Sequence, residues 1–187
     1  MQILALDIAG IPRQWVNFNT AITYHAKDMV AWSLGDTIAK YHGGVRKDGT
    51  RSYLETPSII AVKGSNADPY IFGRVALNND TLFGRDRYMC AYCGEVYNAN
   101  KAKHHLSRDH IMPRSKGGPD DWMNVVTACK SCNAKKDNKT LQQARMELLY
   151  VPYVPNHFEN LIIQNRNILS DQMQYLLSGV PKHSRLN

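Results

Sequence analysis

The chain has 187 residues, with 23 Lys and Arg against 16 Asp and Glu, 7 His and 4 Cys, and a formal charge of +7. At 43% hydrophobic and 21% charged residues, the composition excludes a disordered or fibrous chain. No apolar run approaches the ~20 residues of a membrane span. The basic excess is concentrated: residues 101–139 carry nine basic and four acidic side chains, whereas 1–100 and 140–187 each carry one excess positive charge. That stretch lacks the long apolar stripe of an amphipathic membrane helix, so a polyanion is the expected partner and a membrane is not.

In chain order, residues 1–18 read as extended, with a bend at Gly10-Ile11-Pro12. The opening MQILALDIAG has no basic lead and is broken by Asp7, so it reads as a buried strand rather than a signal peptide, and a cytoplasmic setting is expected. A helix is expected over 20–34, capped by Asn19, with Ile22, Ala26, Met29, Val30 and Leu34 on one side and Gly35 as its stop. Asp36 to His42 reads as a short helical turn. Residues 52–63 read as strand around Ser58-Ile59-Ile60-Ala61-Val62, and 64–80, rich in Gly, Asn, Asp and Pro, as a linker. Arg85-Asp86-Arg87 reads equally as a local ion-pair cluster or a DNA contact. Short strands and one short helix are expected from 90 to 140, then a helix capped by Thr140 and running through Leu149. Beyond Pro152 and Pro155, a helix from Asn156 to Leu177 would carry Phe158, Leu161, Ile162, Ile168, Leu169 and Leu176 on one face, docked on the chain's own core or on a second copy. The tail PKHSRLN reads as frayed.

All four cysteines fall in two C-x2-C pairs, Cys90/Cys93 and Cys129/Cys132, separated by 35 residues. Each pair can present two thiolates from a tight turn, and four complete the tetrahedral shell of structural zinc. Disulfides and a redox pair are the weaker readings: no secretory signal is expected, and a redox motif needs one pair rather than two. Gly94 stands where the first turn needs a residue tolerant of positive φ.

Between the pairs lies His104-His105-Leu106-Ser107-Arg108-Asp109-His110-Ile111-Met112-Pro113-Arg114-Ser115-Lys116-Gly117-Gly118, and later Asn124 and Cys129-Lys130-Ser131-Cys132-Asn133. Asp109 offers a hard anionic oxygen suited to Mg2+ or Mn2+. The adjacent His110 can take a proton near neutrality. Asn133 brings a neutral carbonyl oxygen beside a zinc ligand.

This pattern resembles the HNH endonuclease family. Asp109-His110 with the following Ile-Met-Pro-Arg-Ser-Lys-Gly-Gly looks like its first motif, Asn124 like the central Asn, and Asn133 in Cys-x2-Cys-Asn-x2-Lys like the third. The N-terminal part resembles a subgroup of bacterial and phage HNH proteins more loosely, which implies a bacterial or phage-infected cell. The chain departs from many members in holding Asp at the first ligand position and Asn at the last. The resemblance implies an α+β chain: a ββα-metal nuclease core with a four-cysteine zinc site over 81–150, preceded by a small α+β module over 1–80 for recognition, docking or dimerisation, and followed by a C-terminal segment over 151–187. It implies cleavage of duplex DNA to 5′ phosphate and 3′ hydroxyl ends. His110 would be the general base, Asp109 and Asn133 would hold one catalytic Mg2+ or Mn2+, Asn124 would fix the loop that orients His110, and zinc on Cys90, Cys93, Cys129 and Cys132 would be structural.

Beside these stand plainer readings. Arg114, Lys116, Lys130, Lys135, Lys136 and Lys139 read as phosphate contacts or as a solvated face. His104 and His105 read as a solvated hairpin or as phosphate or metal contacts, and Trp122 as core. A non-catalytic zinc-ribbon that binds nucleic acid needs only the cysteines and the charge. An RNase or toxin of the same fold is a third reading, for which the sequence shows no stacking platform. A homodimer or a partner protein is compatible with all three.

Overall fold

Hydrophobic runs at both ends of the first sixty residues are drawn into one sheet. The computed structural model describes residues 2–64, 75–165, 167–182 and 184–186. The chain forms two compact units, one of Met1–Gly73 with Asn165–Pro181, the other of Arg74–Gln164 with Lys182–Asn187.

In the first unit, β1 (Ile3–Leu6) turns back into β2 (Pro12–Val16), and Leu4 pairs with Trp15. Asp7 makes the bend: its carboxylate accepts from the Ile11 N–H at 2.8 Å and from Arg13. The helix α1 (Phe18–Ala26) follows, capped by Asn17, whose Oδ1 accepts from the Thr20 N–H at 2.9 Å. Two long strands come next, β3 (Val30–Val45) and β4 (Arg51–Val62), antiparallel to one another. Because β4 also lies parallel to β1, the sheet order is β2-β1-β4-β3. Ile3, Ala5, Val16, Ala21, Ile60 and Val62 form the core between sheet and helix.

The helix expected over 20–34 therefore ends at Ala26, eight residues short, and its cap is Asn17, not Asn19. Asp28 takes a positive φ of 53°, and from Val30 onward the chain pairs with β4. Met29, Val30 and Leu34 fit helical spacing, but a β-rich partner strand satisfies the same backbone and decides the outcome. The helical turn expected at 36–42 is strand for the same reason. Gly35 is no helix stop: it sits inside β3 with φ +83°, and a Cβ there would lie 2.1 Å from Ser58 Oγ. The strand read at 52–63 is present as β4.

The second unit opens with α2 (Asn79–Arg85), closed by a capping box between Asn78 and Thr81. Then come α3 (Ala102–His105), β5 (Leu106–His110), β6 (Val125–Cys129), α4 (Lys130–Lys136), α5 (Leu141–Ala144) and α6 (His157–Gln164). Leu82, Phe83, Cys90, Ala102, Leu106, Trp122, Val125, Ala128 and Cys129 form its core, which places Trp122 where the sequence put it. Arg85 is wholly buried. It is paired with Asp86 and also donates to the carbonyls of Trp122, Val125 and Tyr153 at 2.8–3.0 Å, and Asp86 accepts from the Thr127 N–H. Of the two readings of Arg85-Asp86, the ion pair is the one formed.

Three C-terminal expectations change. The helix from Thr140 stops at Ala144, where Arg145 adopts a left-handed conformation. The long helix is two: α6, and α7 (Ser170–Leu177), which belongs to the first unit. At the break, Asn165 Oδ1 accepts from the Asn167 N–H, a local bond that competes with helical pairing. The described part of the tail is packed: Ser184 donates to buried Glu159, and the Arg185 guanidinium lies 3.7 Å over the Tyr150 ring. The linker read at 64–80 lies over 65–74 outside the described residues. No helix among the described residues is long and apolar enough to cross a membrane.

Candidate active site and metal centre

The two cysteine pairs meet at the start of α4. Cys90 opens a knuckle in which the Gly94 N–H bonds to the Cys90 carbonyl at 3.0 Å, with Gly94 at φ +76° as the turn requires. The second pair begins at Cys129, the last residue of β6 and the cap of α4, where its Sγ accepts from the Cys132 N–H at 3.4 Å. The Ala91 N–H donates to the Thr127 carbonyl at 2.8 Å and so ties the knuckle to β6.

The four sulfurs lie within 4.8 Å of one another, with Cys93 and Cys129 at 3.9 Å, and all four cysteines are free thiols. Four sulfurs around one zinc at ~2.3 Å would stand ~3.8 Å apart. The cluster fits such an ion, and the arrangement suggests zinc. Burial works to raise the Cys129 thiol, but hydrogen bonds from Ser131 and the Cys132 N–H outweigh it and bring it down to about 6. Burial pushes Cys93 and Cys132 up. One thiolate forms readily, and a cation would draw the protons from the rest.

The strands β5 and β6 form an antiparallel hairpin in which Asp109 faces Val126 and His110 faces Val125. Alternation along β5 turns Ser107 and Asp109 to one side and Arg108 and His110 to the other. The helix α4 covers the Asp109 side. Asn133 Nδ2 donates to Ser107 Oγ at 2.9 Å and to the Arg108 carbonyl at 3.3 Å. One turn on, Lys136 Nζ donates to Asp109 Oδ1 at 3.0 Å and to the His110 carbonyl at 2.7 Å. The other Asp109 oxygen accepts from the Tyr92 hydroxyl, which burial, and then the Asp109 carboxylate, hold well above its usual range.

Asp109, His110 and Asn133 border one open cavity of about 310 Å³ together with Pro113, Arg114 and Asn138. His110 Nε2 lies 2.8 Å from Asp120 Oδ1, and Arg108 Nη1 lies 3.0 Å from each Asp120 oxygen. The Arg108 guanidinium, with His110 beside it, holds the Asp120 carboxyl below the usual carboxylate range.

The intervening loop is fastened by Asn124. Its Oδ1 accepts from the Met112 N–H at 2.9 Å, and its Nδ2 donates to the carbonyls of Met112 and Pro119 at 3.1 and 2.8 Å. A Cβ on Gly118 would sit 1.8 Å from the Met112 carbonyl oxygen, so the loop closes only on glycine there.

The donor chemistry at Asp109 and Asn133 suits a hard divalent ion. Each Asp109 oxygen has one of these donors on it, and a carboxylate oxygen offers about two acceptor positions. Asn133 is anchored through its nitrogen, which leaves the oxygen as the other end of the amide.

Arg114, Lys116, Lys130, Lys135 and Lys139 are exposed, but Lys136 departs from that group. It is 1% exposed and holds two oxygens of β5, so it is a buried internal cation rather than a phosphate contact. His104 and His105 do not line the cavity, and the His105 ring stacks on Tyr97 with centroids 5.5 Å apart. Sequence reasoning missed Tyr92 and Asp120. The signal for Asp120 was an acidic residue just after Gly117-Gly118; for Tyr92 there was only its place inside a C-x2-C pair.

Hairpin, helix and four-thiol cluster together define an α+β protein built on a ββα unit with a metal-binding knuckle. Residues 90–149 match the family model described as HNH endonuclease. No curated protein matches the chain at a significant level.

Proposed function

We propose that this protein is a metal-dependent endonuclease that hydrolyses phosphodiester bonds in duplex DNA. The observation that supports it best is the shared cavity, bordered by Asp109, His110 and Asn133 beside exposed Arg114. Asp109 and Asn133 would hold one Mg2+ or Mn2+, which supplies Lewis-acid stabilisation of the charge on the scissile phosphate and the departing 3′ oxygen. His110 is the general base. With Nε2 donating to Asp120, its Nδ1 keeps a lone pair to take the proton from attacking water. Asn124 holds both ends of the following loop and so the direction of the ring. Zinc on the four thiolates keeps β6, α4 and the knuckle in one frame. Arg114, Lys116, Lys130, Lys135 and Lys139 supply phosphate contacts, which position the duplex without reading its sequence. One such site cuts one strand per visit.

A second reading, a non-catalytic zinc-ribbon that binds nucleic acid, draws on Lys136, whose ammonium already neutralises Asp109. Supercoiled plasmid incubated with Mg2+, Mn2+ or EDTA separates the two. Metal-dependent nicking is expected, with 5′ phosphate ends, and His110→Ala should lower the rate by about 10²-fold or more while a gel shift persists. Full activity in His110→Ala overturns the assignment of the base. Binding without cleavage under any divalent ion leaves the ribbon reading.

A further inference from the structure

The strands β3 and β4 extend well past the sheet that anchors them. The pairing of β1 with β4 covers Ile59 to Ala61, whereas the β3–β4 pairing runs on to Val45 and Arg51. From Thr37 and Pro57 outward, neither strand has a further strand partner among the described residues. The result is a two-stranded ribbon about 20 Å long at ~3.4 Å per residue.

Along β4 its two faces differ, while in β3 Tyr41, on the face of Leu54, is also exposed. In β4, exposure alternates cleanly: Arg51, Tyr53 and Glu55 are exposed, while Ser52, Leu54 and Thr56 are partly or fully buried. Residues opposite one another share a face, so Lys40, His42 and Val45, paired with Glu55, Tyr53 and Arg51, lie on the exposed one. Tyr53 is 55% exposed, and Lys40 Nζ sits 3.6 Å over its ring. The tip adds Arg46 and Lys47 in a tight turn. Arg46 N–H bonds to the Thr50 carbonyl at 2.7 Å, Gly49 has φ +81°, and Asp48 accepts from the Thr50 N–H and hydroxyl. Residues 40–55 carry four cations and two anions: Asp48 is held in the turn and Glu55 pairs with Lys40 at 3.1 Å, which leaves Arg46, Lys47 and Arg51 as the cations in excess at the outer end.

We propose that this ribbon is a second DNA-binding element, which lays its Lys40–Arg51–Tyr53 face and its Arg46-Lys47 tip into a groove of the duplex. A two-stranded ribbon fits the ~12 Å major groove of B-form DNA. Three clustered cations, Arg46, Lys47 and Arg51, with Lys40 beside its partner Glu55, match a phosphate-lined partner, and the single aliphatic side chain on the face, Val45, is too little for an apolar docking surface. The choice of DNA rests on the nuclease reading. The A-form major groove is too narrow for such a ribbon, so the fit selects DNA over duplex RNA.

The test is binding of the full chain to a 30-base-pair duplex in EDTA, where cleavage plays no part. The variant Arg46→Ala/Lys47→Ala/Arg51→Ala changes exposed side chains, and its melting curve should match wild type. It should bind about tenfold or more weakly at 0.1 M salt, with the slope of log affinity against log salt reduced by about 2–3. In the wild type, added duplex should protect Lys40 and Lys47 from reductive methylation, a readout that needs no variant. Unchanged affinity and slope, or no protection, overturns the ribbon assignment even if the protein cleaves plasmid. Equal competition by single-stranded DNA or duplex RNA overturns groove insertion. Weakened binding in a protein that never cleaves upholds the ribbon and sinks the nuclease reading alone.

Discussion

At Asp120 a guanidinium and an imidazole meet one carboxylate. Arg108 takes both oxygens and His110 takes one, at 2.8 Å. The carboxylate fixes which imidazole nitrogen carries the proton and which keeps a lone pair. Asp120→Asn retains an oxygen but loses the charge, and its amide can turn a donor toward the ring. On the nuclease reading, kcat for plasmid nicking should fall about 10–100-fold with KM nearly unchanged, because phosphate contacts lie elsewhere. Asp120 is 43% exposed in its side chain, so the melting temperature should move little. A KM effect with kcat intact would make Asp120 a binding residue instead. Asp109, His110, Asn124 and Asn133 could be proposed from the sequence because each belongs to a short run of fixed spacing. Lys136 was misread because composition shows a charge and not its burial. Its neutralising partner stands 27 positions away, across the hairpin.

Elements are legible where their own residues decide them, and less so where a distant partner does. The hairpin β5–β6 and helix α4 follow from a local pattern, and Thr140 and Gly94 act as read. The ribbon is the counter-example: 30–45 carries helical spacing, and only pairing with 51–62 makes it strand. Its charge was hidden as well, since four cations in fourteen residues vanish in a near-neutral average over one hundred. The element that positions the hairpin from behind is α2, through Arg85. This guanidinium is buried with Asp86 and holds carbonyls of Trp122, Val125 and Tyr153. Replacing it strands a buried carboxylate and three acceptors. Arg85→Ala should therefore cost about 3–5 kcal/mol in urea denaturation, far more than an exposed Lys→Ala change. A loss under about 1 kcal/mol would mean that water satisfies the site and that α2 does not brace the hairpin.

On the scale of the molecule, the chain divides its means of stabilisation between two units. The first has a sheet and helix core of Ile3, Ala5, Val16, Ala21, Ile60 and Val62, without a cysteine. It is completed by α7, where Gln172 Nε2 donates to the carbonyls of Gln2 and Ser58 at 3.0 and 2.8 Å, a return of more than one hundred residues that no local pattern announces. The second carries all four cysteines, two of them inside its core. An ion on four thiolates contributes on the order of 10 kcal/mol of apparent folding free energy, a contribution that only the second unit can lose. Hydrogen exchange read by mass spectrometry, before and after dialysis against a strong chelator, checks this. Protection should collapse across 90–149, including β5 and β6, and persist in β1 and β4. Cys129→Ala should reproduce the pattern without chelator, since it removes both a sulfur of the cluster and the side-chain cap of α4. Equal loss in both units would mean that they fold as one cooperative body. Full protection of 90–149 after verified metal removal would mean that the hairpin stands on its hydrophobic core and the Arg85–Asp86 tie alone.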